Sequence, residues 1–205
     1  MLERFRAAWA HLLTPPARWL NALGVSPDVV TIVGTLGVVA GALVCFPQGW
    51  LWQGVLIVTA FVFADMLDGQ MAKLGGRSSR WGAFLDSSLD RLGDAAVFGG
   101  ILLYLSRPGH ATLWAWTALA ALAFGQLTSY VKARAESLGF RCSGGLAARA
   151  DRLVLSLIPA FLAGLGVPYV LELAVTFLAV AGLITVVQRM VQVRRQAKAL
   201  SAEAA

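Results

Sequence analysis

Six apolar runs dominate this 205-residue chain and limit the structures that it can adopt. Most of them approach the roughly 20 apolar residues that an α-helix needs to cross a bilayer. Within lipid the backbone must satisfy its own hydrogen bonds, and an α-helix does so inside a single segment. Only 14% of the residues are charged, whereas soluble domains carry about 25%. The sequence therefore predicts an all-α integral membrane protein.

The apolar runs predict six transmembrane helices in one membrane domain. This domain covers residues 1–196, with its spans between about 28 and 188, and residues 197–205 are expected to form a frayed C-terminal tail. The predicted spans are Asp28–Phe46, Trp50–Lys73, Phe84–Leu105, Thr112–Arg134, Arg152–Leu165 and Val167–Gln188.

The segment before the first span has an amphipathic pattern. Residues 2–22 place apolar side chains such as Trp9 opposite basic ones such as Arg6, which is typical of a helix lying in the membrane interface. Ser26 is then the expected N-cap of the first span, with Pro27 at its first helical position.

Positive charge is distributed unevenly between the loops. Of the 17 Lys and Arg residues, only Arg107 falls in the first, third or fifth loop. The positive-inside rule therefore places both termini on the cytoplasmic side of the plasma membrane. The net charge of +6 indicates orientation and contact with lipid head groups rather than nucleic-acid binding.

Four aspartates interrupt this apolar pattern. Asp65 and Asp68 lie three residues apart near the end of the second span, and Asp86 and Asp90 lie four apart in the third. Residues at these spacings share a helix face, so two facing helices would bring four carboxylates together. Such a site needs cations, and hard divalent ions such as Mg²⁺ or Mn²⁺ prefer oxygen ligands. A cation transporter is an alternative, although transporter sites usually lie near the membrane midplane.

The spacing of these residues resembles a known signature. Asp65-x2-Asp68-Gly69-x2-Ala72-Lys73-x8-Gly82-x3-Asp86-x3-Asp90 is similar to the motif of the CDP-alcohol phosphatidyltransferase family, whose members typically have Arg where Lys73 stands. Within the family, the chain is most similar to the actinobacterial branch that makes phosphatidylinositol phosphate. The stretches that carry this second resemblance are residues 14–18, 26–31, 63–69 and 129–136.

The resemblance implies a reaction and its cofactors. Enzymes of this family move the phosphatidyl group of CDP-diacylglycerol to an alcohol and release CMP. Two divalent ions, Mg²⁺ or alternatively Mn²⁺, would be held by Asp65, Asp68, Asp86 and Asp90. Asp90 would in addition act as the general base that removes the proton of the alcohol. A homodimer is also expected by the resemblance.

The resemblance also assigns two sets of binding residues. Contacts to CDP-diacylglycerol are expected from Asp28, Val29, Val30, Thr31, Gly69, Lys73 and Ser79. The expected acceptor is 1D-myo-inositol 3-phosphate, with its phosphate received by Lys132, Arg149, Arg152 and Arg189. Cations suit any phosphate, so phosphatidylglycerophosphate synthesis from glycerol 3-phosphate, or cardiolipin synthesis, is the alternative.

Several of these residues also have plausible structural roles. Gly82 could allow membrane helices to pack closely, and Asp28 is a favourable charge in the first turn of a helix. The basic residues could serve membrane topology alone. These alternatives remain open at the level of the sequence.

Overall fold

The structure, a computed structural model, describes residues 13–76, 79–142, 144–145 and 149–203, with the backbone alone at positions 65, 149, 150, 202 and 203. These residues form helices and short connections, and they contain no strand. A first helix, α1, includes residues 13–22. The six helices that follow are α2 (Pro27–Gln48), α3 (Leu51–Leu74), α4 (Arg80–Leu105), α5 (Thr112–Ser137), α6 (Arg149–Gly164) and α7 (Val170–Glu203).

Both ends of α2 follow from local sequence signals. The Ser26 hydroxyl accepts a hydrogen bond from the backbone N–H of Val29 at 3.3 Å, and Pro27 begins the helix, so the predicted cap is confirmed. Gly49 ends the helix in the left-handed region, with φ at +84°. Glycine adopts this conformation without a steric penalty, which is why it commonly terminates helices.

The helices pack as two connected groups. Helix α2 packs against α3 and α4, while α5 pairs with α7 and also contacts α4. Helix α6 joins the groups because it contacts both α3 and α7. Small residues allow close approach: a Cβ added at Gly100 of α4 would lie only 2.6 Å from the carbonyl oxygen of Ala42 in α2. A buried core that includes Phe46, Ile101 and Leu171 lies between the groups.

Helix α1 lies against the end of α3. The side chain of Asn21 donates a hydrogen bond to the backbone carbonyl of Met71 at 3.1 Å, which ties α1 to the last turns of α3. Residues 2–12, where the predicted interfacial helix begins, lie outside the described residues.

Each predicted span corresponds to a helix. Within the described ranges, three helices are long and apolar enough to cross a membrane: Pro27–Gln48, Leu51–Leu74 and Val170–Ser201. Large apolar side chains on these helices point outward, among them Leu36 and Phe177. Extensive exposed apolar surface of this kind marks contact with lipid or another apolar partner.

The predicted end of one helix was wrong. Helix α7 does not stop near Gln188 but continues to Glu203, so residues 197–203 are helical rather than frayed. The polar extension is rich in Ala, Gln, Lys and Arg, which are strong helix formers. The first described residue of helix α6 is Arg149, within one turn of the predicted start at Arg152.

Candidate active site

Helix α4 separates two cavities of opposite character. On one side, α4 meets α2 and α3 around a cavity of about 270 Å³. On the other side, residues of α4, α5, α6 and α7 line a cavity of about 870 Å³. Asp86 lines the first cavity, while its neighbour Ser87 lines the second. One turn of α4 therefore faces both cavities.

The smaller cavity, called the acidic cavity here, gathers most of the residues predicted to contact the nucleotide. Among the described residues, three carboxylates and one Lys surround it. Its lining is Pro27, Asp28, Thr31, Asp68, Gly69, Ala72, Lys73, Ser79, Gly82, Ala83 and Asp86. Val29 and Val30 lie on the same turn of α2 but do not line the cavity, and Val29 is half exposed on the outer surface.

Asp68 is held in the acidic cavity by two hydrogen bonds. One carboxylate oxygen accepts from the Thr31 hydroxyl of α2, and the other accepts from the backbone N–H of Gly69. Asp86 and Asp28 both interact electrostatically with this carboxylate. The cavity therefore concentrates negative charge that a cation would stabilise.

The start of α4 forms the mouth of the acidic cavity. Ser79 is the N-cap, and its hydroxyl accepts from the N–H of Gly82 at 2.9 Å. A Cβ at Gly82 would lie 3.3 Å from that hydroxyl and 3.9 Å from Asp28, with no neighbouring helix backbone nearby. The Trp81 indole donates a hydrogen bond to Asp28 at 3.1 Å. Asp28, in the first turn of α2, therefore also contacts α4.

The structure describes the side chains of three of the four motif aspartates, and these line two pockets along α4. Asp68 and Asp86 share the acidic cavity, whereas Asp90 lies one turn further along α4 beside a small pocket that Thr35 and Asp94 also line. The side chain of Asp65 lies outside the described part of the chain. Within that part, no cluster of three His, Cys, Asp or Glu side chains is arranged to hold a metal ion.

The larger cavity, called the cationic cavity here, contains three of the four cations predicted for the acceptor. Among the side chains that the structure describes, four Arg and Lys and one carboxylate line it. The lining residues are Ser87, Arg91, Ala123, Gln126, Leu127, Ser129, Tyr130, Lys132, Ala133, Glu136, Arg152 and Arg189. Arg149 lies at the start of α6 with its side chain outside the described set.

Two of these arginines are fixed by buried contacts. Arg152 is only 3% exposed and donates to Asp94 at 3.0 Å and to the Ser129 hydroxyl at 3.4 Å. Arg189 is 8% exposed and donates to the carbonyl oxygens of Thr128, at 2.6 Å, and Gly144, at 3.0 Å. Charge-assisted bonds of this kind hold a guanidinium in a defined orientation.

Lys132 is less constrained. Its ammonium lies 3.8 Å from Glu136, one turn further along α5, and both side chains are about half exposed. An exposed ion pair contributes little to stability, so Lys132 can exchange this partner for a ligand at small cost.

Arg91 and Asp94 were not identified from the sequence. The Arg91 guanidinium hydrogen-bonds the Ser129 hydroxyl and lies 3.9 Å from Asp90 and 3.8 Å from Asp94. Asp94 is 5% exposed and continues the four-residue spacing of Asp86 and Asp90 along α4. That spacing is visible in the sequence and could have revealed Asp94. The contacts of Arg91 could not be predicted, because they depend on how α5 packs against α4.

The chain matches a known family and several named relatives. Residues 24–187 match the CDP-alcohol phosphatidyltransferase family. The phosphatidylinositol phosphate synthase of Cutibacterium acnes is 54% identical over 95% of this chain and 98% of its own length. The synthase of the same name from Streptomyces avermitilis is 47% identical over 96% of this chain and 84% of its own length.

Solved structures agree with this match. The phosphatidylinositol phosphate synthase of Mycobacterium tuberculosis with CDP-DAG bound has a TM-score of 0.86 and 42% identity, over 89% of this chain and 94% of the other. The same synthase in complex with manganese and citrate has a TM-score of 0.86 and 43% identity, over 88% of each chain. This chain is therefore a phosphatidyltransferase, a member of the CDP-alcohol phosphatidyltransferase family.

Proposed function

We propose that this enzyme transfers the phosphatidyl group of CDP-diacylglycerol to 1D-myo-inositol 3-phosphate and releases CMP. The acceptor hydroxyl oxygen forms a bond to the donor phosphorus that carries the diacylglycerol. The bond between that phosphorus and the bridging oxygen breaks, and this oxygen leaves with CMP. The nucleotide occupies the acidic cavity, and the acceptor phosphate occupies the cationic cavity.

The observation that carries this proposal is the pair of cavities on either side of α4. In the described part of the chain, the cationic cavity presents Arg91, Lys132, Arg152 and Arg189 together with the carboxylate of Glu136. This excess of positive charge suits a ligand with a dianionic phosphate. Its volume of about 870 Å³ leaves room for a sugar ring beside the phosphate. Relatives that share about half of the sequence bear the name of phosphatidylinositol phosphate synthases.

Asp90 is the proposed general base. It follows Asp86, which lines the acidic cavity, by one turn of α4, and its neighbour Arg91 lines the cationic cavity. This position beside residues of both cavities supports the assignment, and the carboxylate lies 3.9 Å from the Arg91 guanidinium. Asp90 accepts the proton of the attacking hydroxyl, and Arg91 keeps the carboxylate oriented toward the acceptor.

Divalent cations fit the donor atoms of the acidic cavity. Asp68 and Asp86 supply the hard carboxylate oxygens that Mg²⁺ and Mn²⁺ prefer, and a nearby third carboxylate, Asp28, adds negative charge. We assign the ions, two in number, to Asp65, Asp68, Asp86 and Asp90. When bound, they would neutralise the pyrophosphate of the nucleotide. Lys73, at the end of α3, adds a positive charge toward that pyrophosphate.

The proposed enzyme acts as a homodimer in the plasma membrane with six spans and an interfacial N-terminal helix. Both termini and both cavities face the cytoplasm, where the nucleotide and the sugar phosphate are dissolved. The support for this orientation is that Arg107 alone among 17 basic residues lies in a loop of the opposite side.

A reconstituted assay tests the acceptor. The purified protein is given CDP-diacylglycerol and Mg²⁺ with inositol 3-phosphate, glycerol 3-phosphate or phosphatidylglycerol, and CMP release is followed together with the lipid product. We expect CMP release that depends on inositol phosphate and yields phosphatidylinositol phosphate. Turnover with glycerol 3-phosphate but not with inositol phosphate would contradict the proposed acceptor.

A further inference from the structure

The extension of α7 beyond the apolar span contacts the connection between α5 and α6. The amide of Gln196 accepts from the backbone N–H of Arg141 at 2.9 Å and donates to the carbonyl of the same residue at 2.6 Å. One side chain thereby satisfies both backbone groups of a residue 55 positions away. Water would otherwise pair with these exposed backbone groups, so the two bonds hold Arg141 against α7.

Two more contacts join the same connection to α7. The Arg189 guanidinium donates to the carbonyl of Gly144 at 3.0 and 3.4 Å. Gly145, with φ at +122°, packs so closely on Thr185 that a Cβ would lie 2.4 Å from the Thr185 methyl group. Both the backbone conformation and the space at position 145 therefore require glycine.

The three contacting residues of α7 form a single stripe. Thr185, Arg189 and Gln196 are separated by four and seven residues, which places them on one face of the helix. The connection is thus attached to α7 at three successive points along this face. The middle point is Arg189, which also lines the cationic cavity.

The attachment fixes the orientation of Arg189. Its guanidinium is held between the Thr128 carbonyl of α5 and the Gly144 carbonyl of the connection. If the connection shifts, the Gly144 carbonyl moves, and the guanidinium loses one of its two anchors. Gln196, seven residues further along α7, holds the other end of the connection at Arg141.

We infer that Gln196 is a positioning residue for the acceptor: it holds the connection between α5 and α6 so that Arg189 is presented to the acceptor phosphate. The inference rests on the proposed use of the cationic cavity for the acceptor. It predicts that loss of the Gln196 amide weakens acceptor binding without affecting the donor or the chemical step.

Steady-state kinetics of the purified full chain test this inference. Gln196→Ala should raise the KM for the acceptor roughly threefold to tenfold, the range expected for one or two hydrogen bonds. The KM for CDP-diacylglycerol and kcat should both stay within about twofold of the wild-type values. A change of that size is smaller than the effect of one lost hydrogen bond. Gln196→Glu keeps an oxygen for the Arg141 N–H but cannot donate to the Arg141 carbonyl, so its effect should be intermediate. The matched control is Gln188→Ala, an exposed glutamine on the same helix.

Limited trypsin digestion provides a readout that is independent of the acceptor. Arg141 is exposed, and cleavage after it should be faster in Gln196→Ala than in the wild type or in Gln188→Ala.

An unchanged acceptor KM, or equal rises in both KM values, would overturn the inference. If the wild type uses only glycerol 3-phosphate, the proposed function fails, and the same comparison is then made with that acceptor.

Discussion

At the scale of single residues, the ion pair between Arg152 and Asp94 joins the buried core to the proposed acceptor site. Both side chains are buried, and their charged atoms lie 3.0 Å apart. Removal of one member of a buried pair leaves an uncompensated charge, although replacement of both is often tolerated. Arg152 also lines the cationic cavity, so its structural and binding roles must be separated by experiment.

A double substitution separates the two roles. Arg152→Met should lower the free energy of unfolding by about 3 kcal/mol, because Asp94 is left buried with a weaker partner. Adding Asp94→Asn should recover much of this stability, but the KM for the acceptor should remain raised in both variants. Thermal unfolding in detergent and steady-state kinetics measure the two effects. Recovery of acceptor KM together with stability would show that Arg152 serves structure alone.

Asp90 provides a second test at this scale. Asp90→Asn keeps the size of the side chain but removes the base, so kcat should fall by roughly 10²- to 10⁴-fold. Binding of CDP-diacylglycerol should be retained, because the carboxylates of the acidic cavity, Asp28, Asp68 and Asp86, are unchanged. The control is Glu172→Gln, a carboxylate-to-amide change in the first turn of α7, where Glu172 contacts His110 of the connection between α4 and α5. An active Asp90→Asn enzyme would refute the assignment of the base.

Single residues also mark the limit of prediction from sequence. The Asp68 and Asp86 carboxylates could be predicted to meet because their spacing and their positions at helix ends are visible in the sequence. Arg91 could not be assigned in the same way, since its contacts depend on Ser129 of α5, 38 positions away. Gln196 was missed for the same reason, because an amide in a polar tail gives no sign of its partner.

At the scale of helices, α4 is the element on which the site depends. Its N-terminal half contributes to both cavities, and its C-terminal half packs against α2 where Gly100 approaches Ala42. Because α4 is one continuous helix from Arg80 to Leu105, a shift at this contact would also move Asp86 and Asp90. Changes at this contact should therefore affect the stability of the bundle and the geometry of the site together.

Two adjacent glycines of α4 form a matched pair for this contact. A Cβ at Gly100 would lie 2.6 Å from the Ala42 carbonyl, so Gly100→Ala should destabilise the protein by about 1–3 kcal/mol, the usual cost of overpacking. At Gly99 the nearest atom would be 3.9 Å away, at Leu43, so Gly99→Ala should be neutral or stabilising. Thermal unfolding of both variants measures the difference, and equal melting temperatures would contradict the packing described here.

Helix positions were largely predictable, and the exceptions have a physical cause. Apolar runs indicate where a helix is buried in lipid, so the bounds of α2 and α3 were predicted to within two residues. Hydropathy detects only the apolar part of a helix, so the prediction ended α7 at Gln188. The helix continues through polar residues to Glu203. Its polar extension is stabilised by helix propensity and by contact with the connection near Arg141.

At the scale of the whole molecule, the bundle places two chemically different cavities at one end. Asp68, Asp86 and Lys73 face the acidic cavity, and the cationic cavity lies across α4. A transferase needs its two substrates to meet at one point while each is recognised separately. Two cavities that share α4 as a wall meet this requirement. A cation transporter would need the carboxylates but not a second, cationic cavity.

The most direct test of this arrangement compares the KM values of both substrates in two matched lysine variants. Lys73→Met should raise the KM for CDP-diacylglycerol, and Lys132→Met should raise the KM for inositol phosphate. Each rise should be roughly tenfold or more, the expected effect of one lost charge-assisted contact. The KM for the other substrate should stay nearly constant in each variant. If either substitution raised both KM values equally, the assignment of one cavity to each substrate would be contradicted.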